Sequence, residues 1–137
     1  MYMDENKIPK NNILIIEDEQ DIREIYVEVL TNAKYTVDQA ADGETGMQKI
    51  KEGNWDLLLL DIMLPGRDGL KILKEIKETP GLKKGPVIAL TNLNSENIIH
   101  EVFTSGADGY LIKSEITPDK VVEEIAKVLS KEEEENK

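Results

Sequence analysis

The chain has no cysteine and one histidine, and only 4% of its 137 residues are aromatic. Without cysteine there is no disulfide framework, no thiolate nucleophile and no cysteine metal site. His100 has no second histidine with which to share a metal; it falls on an amphipathic helical stretch and is expected on the solvent side. Long apolar runs are missing too. The densest, Leu57 to Leu60, is strand-length and far below the roughly 20 residues that span a bilayer. Met1 to Asn12 is polar and offers no signal-peptide core. Basic residues are in deficit, 17 against 28 acidic, giving a net charge of −11. Such a surface repels nucleic acid and anionic lipid, so the expectation is no direct nucleic-acid binding and no membrane contact. These features suit a reducing, cytoplasmic location.

What is present is a regular alternation. Asn12 to Glu17, Thr36 to Ala40, Asp56 to Asp61, Pro86 to Thr91 and Gly109 to Ile112 read as short buried strands. Between them Ile22, Ile25, Val29 and Leu30 mark a first helix, and Gly46, Met47 and Ile50 a second. Leu70, Ile72, Leu73 and Ile76 mark a third, stopped by Thr79-Pro80-Gly81. Ser95 opens a fourth that ends at Gly106, and Thr117-Pro118 caps and starts a fifth. Strand and helix alternating in this way imply an α/β protein, a doubly wound five-stranded parallel sheet covered on both faces. The expected organisation is an extended or disordered segment over 1–11, one domain over 12–131 and an acidic tail over 132–137.

In such a sheet ligands sit beyond the carboxyl ends of the strands. The polar residues there are Glu17-Asp18-Glu19, Asp61, Thr91-Asn92 and Lys113-Ser114. Carboxylates gathered at one rim raise each other's pKa and call for a cation. Mg²⁺ suits them, because it takes one or two carboxylates and is completed by phosphate oxygens. Asp61, at the tip of DLLLLD, fits a carboxylate nucleophile that forms an acyl phosphate. Asp18 fits a direct metal ligand, with Glu17 assisting; Lys113 and Thr91 would hold phosphoryl oxygens.

Glu17-Asp18, Asp61 through Gly69 (DIMLPGRDG), Thr91, Gly106-Ala107 and Tyr110-Leu111-Ile112-Lys113 together resemble the receiver domain of two-component response regulators. The similarity runs from about Asn12 to Leu129. It implies a flavodoxin-like (βα)5 fold with strand order 2-1-3-4-5. It further implies that Asp61 accepts a phosphoryl group from a histidine kinase or histidine phosphotransfer protein. Mg²⁺ would be held by Asp18, Asp61 and the Met63 backbone carbonyl. Thr91 and Tyr110 would form a switch pair, and the face from the fourth helix through the fifth strand to the fifth helix would engage a downstream effector or dimer partner. Such a protein is no turnover enzyme; it catalyses only its own phosphorylation and dephosphorylation.

Plainer readings compete. The acidic triplet suits a helix N-terminus, Asp61 a turn, Lys113 a surface lysine and Tyr110 strand packing. A phosphatase of the haloacid dehalogenase type also uses a strand-end aspartate, but needs an acid where Met63 stands. A non-phosphorylated pseudo-receiver is the remaining alternative. The chain departs from the family at three places: Glu17 stands where aspartate is commoner, Ser114 replaces a proline after Lys113, and Asn92 replaces a small residue after Thr91. A trans peptide is expected at Ser114. Asn92 is expected to screen or orient attacking water.

Overall fold

The computed structural model describes residues 12–93 and 95–135; the segment expected over 1–11 lies outside them. Five strands and five helices alternate: β1 (Asn12–Ile16), α1 (Gln20–Asn32), β2 (Thr36–Ala40), α2 (Gly43–Glu52), β3 (Leu57–Asp61), α3 (Gly69–Glu78), β4 (Val87–Thr91), α4 (Glu96–Thr104), β5 (Gly109–Ile112) and α5 (Pro118–Glu135). All four strand pairings are parallel, and the order is β2-β1-β3-β4-β5.

Alternation along the central strands divides the core in two. Leu14, Ile16, Leu58 and Leu60 point to one face, with residues of α2, α3 and α4 such as Ile50, Ile72, Leu73 and Val102. Ile13, Ile15, Leu57 and Leu59 point to the other, with Leu30 of α1 and Val121 and Ile125 of α5. Leu57 to Leu60 are fully buried, each such side chain contributing about 1.5–3 kcal/mol. The sheet edges differ from expectation. β2 exposes most of its residues and β5 is only half-buried, because each has a strand on one side only.

Local chemistry sets the element boundaries. Asp42 and Asp68 cap α2 and α3 by accepting the Thr45 and Leu70 N–H groups. Ser95 accepts from Ile98 at the start of α4. Thr79 ends α3 immediately before Pro80, as the sequence requires. The tail expected from Glu132 is not set off by a break: α5 continues through Glu135, glutamate being a good helix former.

With β1 between β2 and β3, the chain leaves β1 and β3 for opposite faces of the sheet. Their carboxyl ends therefore open a crevice, lined by the acidic residues after Ile16 and by Asp61.

Candidate functional site

Buried strands hold the site rigidly. Asp61 is the last residue of β3 and only 3% exposed, and Thr91 is the last of β4 and 1% exposed. Glu17 directly follows β1, is fully buried, and its N–H pairs with the Ala40 carbonyl. Carboxylate oxygens of Glu17, Asp18 and Asp61 all lie within 4.8 Å of one another. Asp18, Glu19, Asp61, Met63, Thr91, Asn92, Leu93 and Lys113 line a cleft of about 270 Å³ above them.

Lys113 arrives from the end of β5 and bridges the acids. Its Nζ donates to Asp61 Oδ2 at 3.0 Å, pairs closely with Glu17 Oε1, and stands 4.0 Å from Glu19. The other oxygens are held by the backbone: Glu17 Oε2 accepts the Glu19 N–H at 3.0 Å, and Asp61 Oδ1 accepts the Met63 N–H at 2.9 Å. Burial pushes the Glu17 carboxyl up to about 7, against the pull of Lys113. Asp61 is likewise raised by burial, less its bonds to the Met63 N–H and Lys113. Burial works against the charge on Lys113, but hydrogen bonds to Glu17 and Asp61 outweigh it and hold the ammonium above its ordinary value.

The donor set suits a hard divalent cation. Three carboxylates converge on one point, and Lys113 supplies one positive charge against them. Asp18 is the exposed member and faces the cleft. Glu17 is longer than aspartate, and that length lets it reach both the Glu19 N–H and Lys113. Magnesium ligation by oxygen fits this set.

Of the residues expected at the site, Glu17, Asp18, Asp61, Met63, Thr91 and Lys113 converge. Tyr110 is not among the residues that line the cleft. Its ring lies 6.5 Å from that of Phe103, and its hydroxyl is buried without a hydrogen-bond partner among the described residues. Thr91 Oγ1 accepts the Leu93 N–H at 3.2 Å, which leaves its own proton free to donate. His100 is exposed on α4, and Trp55 is buried ahead of β3, at the end away from Asp61.

One contributor gave no sequence signal. Arg23 of α1 donates to the Glu17 carbonyl at 2.8 Å, more weakly to that of Asp18, and to Gln39 of β2 at 2.9 Å. Arg67 in the loop after Asp61 similarly ties α2 to α3 through Glu44 and Glu75. Ser114 follows Lys113 within a 3-10 turn (Lys113–Glu115), and no peptide bond among the described residues is cis.

A doubly wound parallel sheet in the order 2-1-3-4-5, with a lysine-bridged acid cluster at its switch point, defines a flavodoxin-like fold. The chain belongs to the response regulator receiver domain family, whose model matches residues 13–126. It is 35% identical over 113 residues to the transcriptional regulatory protein ResD of Bacillus subtilis, covering 82% of this chain and 45% of that protein. It is 42% identical over 101 residues to the transcriptional regulatory protein DltR of Streptococcus agalactiae, covering 74% and 44%. The chain thus spans about half the length of the curated relatives it matches. A CheY-like receiver domain protein from Methanospirillum hungatei superimposes with a TM-score of 0.82 at 30% identity, covering 91% of this chain and 98% of that one. The BeF3-activated receiver domain of RstA from Klebsiella pneumoniae gives a TM-score of 0.78 at 28% identity, covering 87% and 98%. No helix among the described residues is long and apolar enough to cross a membrane.

Proposed function

We propose that this chain is a signalling receiver that accepts a phosphoryl group on Asp61 from a phosphohistidine donor in a Mg²⁺-dependent reaction. The observation that carries this reading is the Lys113 ammonium, 3.0 Å from Asp61 Oδ2, inside a cluster that also holds Glu17 and Asp18. A fixed cation at one oxygen and a backbone N–H at the other hold the Asp61 carboxylate in place, which supports its reading as the nucleophile. The Asp61 oxygen forms the new bond to phosphorus as the bond to the donor's imidazole nitrogen breaks. Lys113 and the Thr91 hydroxyl then hold phosphoryl oxygens. Asp18, Asp61 and the Met63 carbonyl would hold Mg²⁺, which when bound neutralises charge on the transferring group.

The partners are a histidine kinase or histidine phosphotransfer protein and a downstream protein effector or second receiver, in the cytoplasm. The chain catalyses only its own modification and its slow reversal. The Thr91 hydroxyl donates its free proton to the phosphoryl group and shifts toward it, and the α4–β5–α5 face, which includes Tyr110, changes its affinity for the effector. The phosphatase alternative finds little support: Met63, where its acid would stand, is an exposed thioether.

The test is titration with beryllofluoride and Mg²⁺ observed by NMR. Shifts concentrated at Asp61, Thr91 and Lys113, with further changes at Tyr110, are expected. No change, or turnover of a phosphate ester by the purified protein, would defeat the reading.

A further inference from the structure

Two of the three residues at which the sequence departs from the family's usual pattern touch each other. Asn92, directly after β4, accepts the backbone N–H of Ser114 through Oδ1 at 2.9 Å. The contact needs both departures. A proline after Lys113 has no N–H to give, and a small residue after Thr91 has no acceptor to reach it.

The consequence falls on Lys113, between the two tethered points. β5 is an edge strand, held from the β4 side alone, and its paired register ends at Thr91 opposite Ile112. Lys113 then opens a three-residue 3-10 turn that has no side-chain cap at its start. The Asn92 bond fixes the very next peptide. The lysine backbone is thereby held on one side through Ile112 and on the other through Ser114. From that backbone the side chain, 8% exposed, spans to Asp61 and Glu17.

We propose that Asn92 is a positioning residue for Lys113: its hydrogen bond to the Ser114 N–H holds the lysine's backbone so that Nζ stays on the Asp61 carboxylate. This differs from the simpler expectation that Asn92 acts by covering the phosphoryl group. It rests on the phosphoryl-acceptor reading above.

Two substitutions separate the mechanisms. Asn92→Leu keeps comparable bulk at the cleft mouth but has no acceptor, and Asn92→Ala loses both. Asn92 and Ser114 are exposed, so the fold is expected to survive each change. Three quantities are compared with the wild type: exchange protection of the Ser114 amide, the Lys113 ammonium resonance, and the rate of Asp61 modification by acetyl phosphate with saturating Mg²⁺. In both variants the Ser114 amide should lose protection and the Lys113 resonance should move toward that of a free lysine. The rate should fall roughly threefold, the effect of one exposed hydrogen bond. An Asn92→Leu protein with wild-type rate and Lys113 resonance would overturn the proposal and assign Asn92 a role through bulk. If the wild type itself is not modified, the phosphoryl reading fails. The Lys113 resonance then decides the positioning role, and an unchanged signal in both variants overturns it.

Discussion

The Arg23 guanidinium donates to the backbone carbonyl of Glu17 at 2.8 Å while its Nε donates to Gln39 on the neighbouring strand. One side chain of α1 thus fixes the backbone from which the acid pair projects and ties it to β2. Arg23→Ala should destabilise the fold by about 1–2 kcal/mol, the scale of charged hydrogen bonds at a half-buried site. Arg23→Lys should recover little, because a single ammonium cannot reproduce the planar fork. Urea midpoints for the three proteins check this; an Arg23→Lys midpoint equal to wild type would contradict it.

Glu17 gives the metal-free protein a characteristic pH dependence. Its folded pKa of about 7 lies above the ordinary 4.5, so between those values the folded state holds the proton more tightly than the unfolded state. Its contribution to stability is therefore present at low pH and is lost as pH rises through 7. A cation in the acid cluster competes with that proton. The increase in melting temperature on adding Mg²⁺ should accordingly be larger at pH 8 than at pH 5.5, and Glu17→Gln should flatten the difference.

Gly85 is required by close approach. A Cβ there would lie 1.9 Å from the backbone oxygen of Asp56, ahead of β3. Gly85→Ala should cost about 3 kcal/mol or more, since backbone must move. Gly66 is the control: its φ is +82° but nothing lies within 4 Å of the added atom. Gly66→Ala should cost only about 1 kcal/mol, from the left-handed backbone alone. Thermal denaturation of the pair separates the two causes.

Lys34 sits in the left-handed region, with φ of 78°, just past the end of α1. Its N–H bonds to Thr31, and that of Tyr35 to Leu30, closing the helix in the way glycine usually does. Lys34→Gly should stabilise the protein by about 0.5–1 kcal/mol, the relief of strain less the extra freedom of the unfolded chain. A lowered denaturation midpoint would contradict this.

The central strands and the acids at their ends were legible because burial on both faces leaves a plain mark, an apolar run ending in Asp61. The edge strand β2 was legible in its bounds, Thr36 to Ala40, but not in its exposure. Thr36, Asp38 and Gln39 face solvent, and a strand with one neighbour carries little of that pattern. Arg23 escaped because recognition of a main-chain carbonyl places no demand on the residue that supplies it. The Asn92–Ser114 bond joins residues 22 apart through the path of two loops, and loop paths are not encoded in periodicity. Both residues stood out in the sequence as departures, but only their three-dimensional relation shows that they belong together.

The proposed role of Asp61, bridged by Lys113 and clustered with Glu17 and Asp18, is to accept a phosphoryl group. Intact-mass analysis after incubation with acetyl phosphate tests it most directly, with and without Mg²⁺, in the wild type, Asp61→Asn and Lys113→Ala. The expected result is a single phosphoryl addition that requires Mg²⁺, is absent from Asp61→Asn and falls at least tenfold in rate in Lys113→Ala. An addition that persists in Asp61→Asn, or no addition to the wild type, would contradict the assignment.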